Sequence, residues 1–144
     1  MQGLREGTIE RLRAVLDRRP EIFEAYLFGS GARGDAARHS DIDVAVYVDA
    51  SVAPDAPFGY DAALGADLMR AVGDSRVDVV VLNHAPPLLY HRVLRDGMRL
   101  LSRDLAQTTT REGRALSRWC DWQGQLRKLD AVARERVLRG DFGR

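Results

Sequence analysis

The segment Val77-Asp78-Val79-Val80-Val81-Leu82 limits the fold more than any other. Six residues are too few for a stable helix. Its β-branched side chains pack well on a pleated surface and poorly on a helix. A nearly unbroken apolar run of this length predicts a central strand covered on both faces, the habit of sheets with helices packed against them. The chain is therefore expected to be α/β, and the one carboxylate inside this run needs an explanation.

The rest of the sequence supplies the other layers. Leu4 to Arg18 carries Ile9, Leu12, Val15 and Leu16 at helical spacing, and Pro20 stops it. Ala25 to Phe28 reads as a strand running into Gly29-Ser30-Gly31, a turn that glycine permits. Residues 31–38 are expected to form a short helix. From Asp41 to Val48, Ile42, Val44 and Val46 alternate with the other residues, the mark of a second strand. A loop with Pro54, Pro57 and Gly59 leads to a helix over Tyr60–Val72. Pro86-Pro87 opens another helix that lasts to Gly97, and Arg99–Leu101 reads as a short edge strand. From about Thr110 to Arg139, apolar residues recur every three or four positions, the pattern of one long helix or two; Gly113 and Gly124 weaken it and allow a bend. An α/β domain over residues 1–105 followed by a helical extension over 106–144 is the expected organisation.

With 144 residues there is enough chain for one real core but little for two. The sequence contains no apolar run of about 18 residues, and its opening, MQGLREGTIERLRAVL, lacks a signal peptide's apolar centre. Cys120 is the one cysteine and has no internal partner, which suits a reducing cytoplasm; it is expected to be semi-buried. Net charge is +1, but residues 111–144 carry nine basic and five acidic side chains. That excess is too mild to predict direct nucleic-acid binding.

The chemistry is carried by carboxylates. Side chains alternate faces along a strand, so Asp41 and Asp43 share one face while Ile42 and Val44 take the other. Their Cα atoms are about 6.5–7 Å apart. If the strands holding Asp43 and Asp78 are neighbours, three carboxylates converge at one end of the sheet. Unaided, they repel one another and raise each other's pKa. A divalent cation resolves the conflict, and hard oxygen ligands favour Mg²⁺ or Mn²⁺ over zinc. Two such ions about 3.5–4 Å apart suit an in-line displacement at phosphorus. The preceding Gly29-Ser30-Gly31-Ala32-Arg33-Gly34 offers backbone N–H groups, a hydroxyl and a guanidinium to phosphate. Ser40 stands just before the first carboxylate and can steady that turn.

Phe28-Gly29-Ser30, then ten residues, then Asp41-Ile42-Asp43-Val44, with Asp78 in a later strand, resembles the signature of the DNA polymerase β nucleotidyltransferase superfamily. The stretches GSGARGDAARHSDIDVAVYV and VDVVVLNHAPPLLYHRVLRDGMRLL resemble its minimal nucleotidyltransferases, and the likeness covers roughly residues 20–104. That resemblance implies a mixed β-sheet flanked by helices, with ATP as donor. It implies Mg²⁺ held by Asp41, Asp43 and Asp78, and Asp78 as activator of the acceptor oxygen. Gly29 and Ser30 match the family's phosphate turn, to which Arg33 and Ser40 are added here as candidates. Many minimal nucleotidyltransferases resemble antitoxins that transfer AMP to a tyrosine of a HEPN-type RNase toxin. The resemblance thus implies such a toxin as partner. Two rivals stand beside it: an antitoxin acting by binding alone, and an adenylyltransferase for a small molecule such as an aminoglycoside. Trp119 and Trp122 are expected to pack the terminal helix onto the domain; the alternative places them, with Arg118 and Arg127, against a partner.

Overall fold

The protein, a computed structural model, is described over residues 6–29, 41–73 and 76–140. Four strands form one mixed sheet: β1 (Ile22–Phe28), β2 (Ile42–Val48), β3 (Val77–Val81) and β4 (Met98–Ser102). Their spatial order is β3-β2-β1-β4. β1 runs antiparallel to β2 and β4, whereas β2 and β3 are parallel and adjacent. Helices α1 (Glu6–Asp17), α2 (Tyr60–Val72), α3 (Pro87–Asp96) and α4 (Leu105–Arg139) cover it.

Alternation along the strands divides the interior in two. One face of the sheet, with Ile42, Val44, Val46, Ala25 and Leu27, packs against Leu12 and Leu16 of α1 and Leu64 and Leu68 of α2. Those four leucines are fully buried, each stabilising the fold by about 2 kcal/mol relative to an exposed side chain. The opposite face carries Tyr26, Ala45 and Val80, packed against Tyr90 and Val93 of α3 and Ala115 of α4.

β3 is an edge strand, not the central strand its valine run predicts. The run is explained by cover: α2 packs on one side of it, and Val80 and Leu82 join the core under α3 on the other. Where the β2–β3 ladder ends, the Asn83 side chain substitutes for a strand, donating to the Val48 carbonyl at 2.7 Å and accepting from its N–H at 3.0 Å. β1 begins three residues earlier than its sequence pattern suggests, because a bulge at Phe23 shifts the register and hides the alternation.

The terminal helix is continuous over 35 residues, the first of the two arrangements that the sequence leaves open. Asp104 caps its start by accepting from the Gln107 N–H, and Gly140 ends it in the left-handed conformation. Gly113 is bracketed by anchors that hold the helix straight: Arg111 to Glu24, Glu112 to Tyr26 and Arg99, and Ala115 in the core. Trp119 stacks on His91 of α3, as the packing expectation has it, while Cys120 is exposed rather than semi-buried. Its position on a helix beyond the sheet, not its apolar character, decides that. The short helix expected over 31–38 lies outside the described residues. Among the described residues no helix is long and apolar enough to cross a membrane.

One arginine ties the first helix to the last strand. Arg103 donates to the carbonyls of Leu16, Asp17, Arg19 and Ile22 at 2.6–3.2 Å, holding the end of α1 and the start of β1 against the residue that follows β4. Arg103→Ala is expected to cost about 2 kcal/mol and lower the melting temperature by about 6 °C. Arg103→Lys should recover only part of this, since one ammonium cannot span four carbonyls. A thermal melt of the alanine variant that overlays the parent would show the latch to be idle.

Candidate active site

The parallel pairing of β2 with β3 sets the centre. Asp43 is the direct register partner of Asp78, so two in-register carboxylates leave the same face of adjacent strands about 4.8 Å apart at Cα. The ladder extends one step past the strand ends, where the Ile42 N–H donates to the Arg76 carbonyl at 2.8 Å. Asp41 stands exposed at the mouth of β2, two positions before Asp43. Asp43 is half-buried; burial first, then the charges of Asp78 and Asp41, push its carboxyl above the ordinary range. The adjacency expected from sequence is therefore present for Asp43 and Asp78, and the charge of Asp41 is felt at Asp43.

Asp78 has some relief: Arg76 Nε approaches its Oδ1 at 3.5 Å. Both side chains are well exposed, so this pair is weak. Among the described residues no counter-charge stands so beside Asp43.

Across β2 from Asp78 lies the end of β1. Phe28 pairs with Asp43, and the next residue, Gly29, has φ of 75°. A Cβ at Gly29 would collide with the Asp43 carboxylate. Glycine is thus required twice, for the left-handed turn and for the close approach. The turn that begins at Gly29 starts beside the carboxylates, where a phosphate chain bound by it would meet them. Ser30, Arg33 and Ser40 lie outside the described residues.

These residues suit a hard divalent cation. The donors are carboxylate oxygens alone, and the Asp43 carboxyl, raised by burial and then by the charges of Asp78 and Asp41, is one that such an ion would hold ionised. Among the described residues no three His, Cys, Asp or Glu side chains stand close enough together to hold a metal ion. Asp43 and Asp78 are the adjacent pair, and Asp41 is the more distant third.

Sequence reasoning missed a second group of residues on the same sheet face. Glu24, fully buried, accepts both forks of Arg111 at 2.7 and 2.6 Å and the Thr108 hydroxyl at 3.1 Å. The Arg111 guanidinium lies over the rings of Phe23 and Tyr47, 4.9 and 5.1 Å from their centroids. The one available signal was an acid between apolar neighbours in IFEAYLF; its partner is 87 positions away.

The chain is similar in sequence and fold to known proteins. Residues 10–106 match the family model described as polymerase beta, nucleotidyltransferase. The chain is 35% identical over 100 residues to protein adenylyltransferase MntA of Shewanella oneidensis, covering 69% of this chain and 67% of that one. A chain of a toxin–antitoxin crystal structure with AMP-PNP superposes with a TM-score of 0.68 at 27% identity, covering 90% of this chain and 98% of its own. A chain from the complex of a tri-AMPylated Shewanella oneidensis HEPN toxin with its MNT antitoxin has the same fold, with a TM-score of 0.66 at 23% identity and coverage of 88% and 95%. The two carboxylates in register on β2 and β3 and the glycine turn against them lie within the matched span, and the chain belongs to the polymerase β nucleotidyltransferase family.

Proposed function

We propose that this protein transfers AMP from ATP, with Mg²⁺ or Mn²⁺, to a hydroxyl, and that the acceptor is a tyrosine of a HEPN-family toxin it neutralises in the cytoplasm. The observation that carries the reading is the in-register Asp43–Asp78 pair against Gly29. The 35% identity to a protein adenylyltransferase and the fold shared with a toxin–antitoxin chain support the acceptor class. The HEPN toxin is the partner that the residue-level resemblance implies.

In this reading Asp41, Asp43 and Asp78 hold the metal, and the turn from Gly29 through Ser30, with Arg33 and Ser40, holds the triphosphate. A divalent cation in that place supplies a Lewis acid that eases deprotonation of the acceptor and balances charge on the departing pyrophosphate. Asp78, whose side chain is 47% exposed and reachable from solvent, accepts the acceptor's proton. The acceptor oxygen bonds to the α-phosphorus as the bond from that phosphorus to the β-phosphate bridging oxygen breaks. The glycine turn fixes the phosphates so that attacking and leaving oxygens are in line.

The terminal helix supports a protein acceptor. Beyond Trp122 it projects with Leu126, Leu129 and Val137 on one stripe, 42%, 65% and 58% exposed. An apolar stripe at this spacing is the kind that docks on a partner helix. This same stripe favours the second reading, neutralisation by contact alone.

One experiment separates them. The purified chain is incubated with α-labelled ATP, Mg²⁺ and the HEPN protein encoded beside it. Label should reach a tyrosine of the toxin, vanish with EDTA, and vanish in Asp41→Ala/Asp43→Ala. Equal labelling by that variant sinks the enzymatic reading. If the variant binds the toxin and still silences its RNase, contact suffices.

A further inference from the structure

A second cavity, of about 780 Å³ and open to solvent, lies between α4, β2 and α3. It is lined by Tyr47, Tyr90, Arg111, Arg114, Ser117 and Arg118. Its electrostatics are opposite to those of the carboxylate centre. Arg111 is neutralised by Glu24. Arg114 and Arg118 follow it on the same helix face and have no acidic partner among the described residues; Arg118 has only the Tyr90 ring beneath it, 5.8 Å from the centroid.

Tyr90 adds an independent sign. It is 1% exposed, and its hydroxyl is buried without a hydrogen-bond partner. Burial, above all, raises its pKa, so it remains a phenol with a proton to donate. Its ring lines the cavity, with the Arg118 guanidinium over it. A guanidinium drawn from the Tyr90 ring onto an anion uncovers this donor. Buried donors in native proteins are nearly always satisfied, so an orphan beside the unpaired Arg118 marks a missing acceptor.

The cavity's shape narrows that acceptor. Two guanidinium forks with a phenol and the Ser117 hydroxyl offer more donors than a carboxylate can accept, and suit a phosphate. The volume suits a nucleotide-sized ligand, and the Tyr47 ring and the guanidinium planes are surfaces on which a base stacks. Tyr47 lies on the same face of β2 as Asp43, four residues and about 13 Å further on, with only the small Ala45 between.

We propose that this cavity is a second ligand site that binds an adenosine 5′-phosphate group, gripped by Arg114 and Arg118. The group is either free AMP or AMP already attached to an acceptor. The phosphate-binding cavity does not depend on the proposed AMP transfer; the choice of adenosine and the attached source rest on that reading.

The test is calorimetric titration of the full chain in EDTA, with AMP and separately with O-adenylyl-tyrosine amide. Binding is expected for the parent chain and, within about twofold, for Asp41→Asn/Asp43→Asn. Arg114→Ala/Arg118→Ala should weaken it at least about tenfold, the loss expected when charge-assisted phosphate contacts go. Both arginines are on the surface, so their melting temperature checks the fold; Ser117→Asp, which sets a negative charge in the cavity, gives the same loss by another route. Tighter binding of the adenylyl-tyrosine identifies the acceptor side as the source, and tighter binding of AMP the free nucleotide. Undiminished binding in both cavity variants, loss in the aspartate variant instead, or no heat with either ligand at millimolar concentration overturns the proposal. Label transfer to the toxin is measured separately, so failure of one reading leaves the other standing.

Discussion

Asp43→Asn is expected to lower AMP transfer about a thousandfold or more while making the apo protein more stable, with a melting temperature higher by about 2 °C. Loss of a metal-bridging carboxylate removes several kcal/mol of transition-state stabilisation, and each 1.4 kcal/mol is tenfold in rate. The stability gain follows from the raised carboxyl of Asp43, for which burial and the charges of Asp78 and Asp41 are responsible. A carboxyl whose folded pKa lies above its unfolded value binds its proton more tightly in the native state. Ionised Asp43 therefore costs stability at neutral pH, and the cost fades as pH falls through the folded pKa. The two melts should converge in acid. Mg²⁺ should reverse their order at neutral pH, because an ion that binds only the native parent stabilises it by mass action. Asp78→Asn should gain less in the absence of metal, since Arg76 already stands beside Asp78. An asparagine variant that transfers AMP at the parent rate, or an apo melt below the parent's, would show that Asp43 is not the strained member of this centre.

The pairing of Asp43 with Asp78 was legible because strand alternation and strand pairing obey short-range rules. Asp41-Ile42-Asp43-Val44 separates acid from core by parity alone, and the adjacency of β2 and β3 needed only the usual habit of a parallel pair joined by a helix, here α2. The role of Gly29 was half legible: its turn was evident, but its contact with Asp43 is made across strands. Two features misled for physical reasons. The valines of β3 report cover by α2 and by the core under α3, and that cover occurs at an edge as readily as at the centre. The bulge at Phe23 resets the parity of β1, putting Ile22 with Ala25 and Leu27 on one face and concealing that Glu24 belongs to the other. Gly113 and Gly124 left a bend in the last helix open, at a cost of about 1 kcal/mol each against alanine. Tertiary anchors on both sides of Gly113 outweigh that preference. Contacts between residues some 87 positions apart leave no local trace, so the Glu24–Arg111 pair and the arginine cavity beside it were invisible until the sheet was assembled.

Breaking that pair is the largest stability effect expected, and its two halves should not be equivalent. Arg111→Met leaves the Glu24 carboxylate, which is wholly buried, with only the Thr108 hydroxyl. An unpaired buried charge costs about 3–5 kcal/mol, so the melting temperature should fall by roughly 10 °C or more. Glu24→Leu leaves Arg111 unpaired instead, but its side chain is 16% exposed, borders an open cavity and keeps the Phe23 and Tyr47 rings. Water can reach that charge, and the cost should be nearer 2 kcal/mol. The double variant Glu24→Leu/Arg111→Met removes both charges and should recover most of the loss, because a buried ion pair returns little more than its own desolvation. The pair ties α4 to β1, so the single Arg111 variant should also speed amide exchange over the first turns of α4, Leu105 to about Arg118, more than in α1. Equal costs for the two single variants, or a double variant as unstable as Arg111→Met, would mean that the aromatic packing around Arg111, and not the charge pairing, anchors the helix to the sheet.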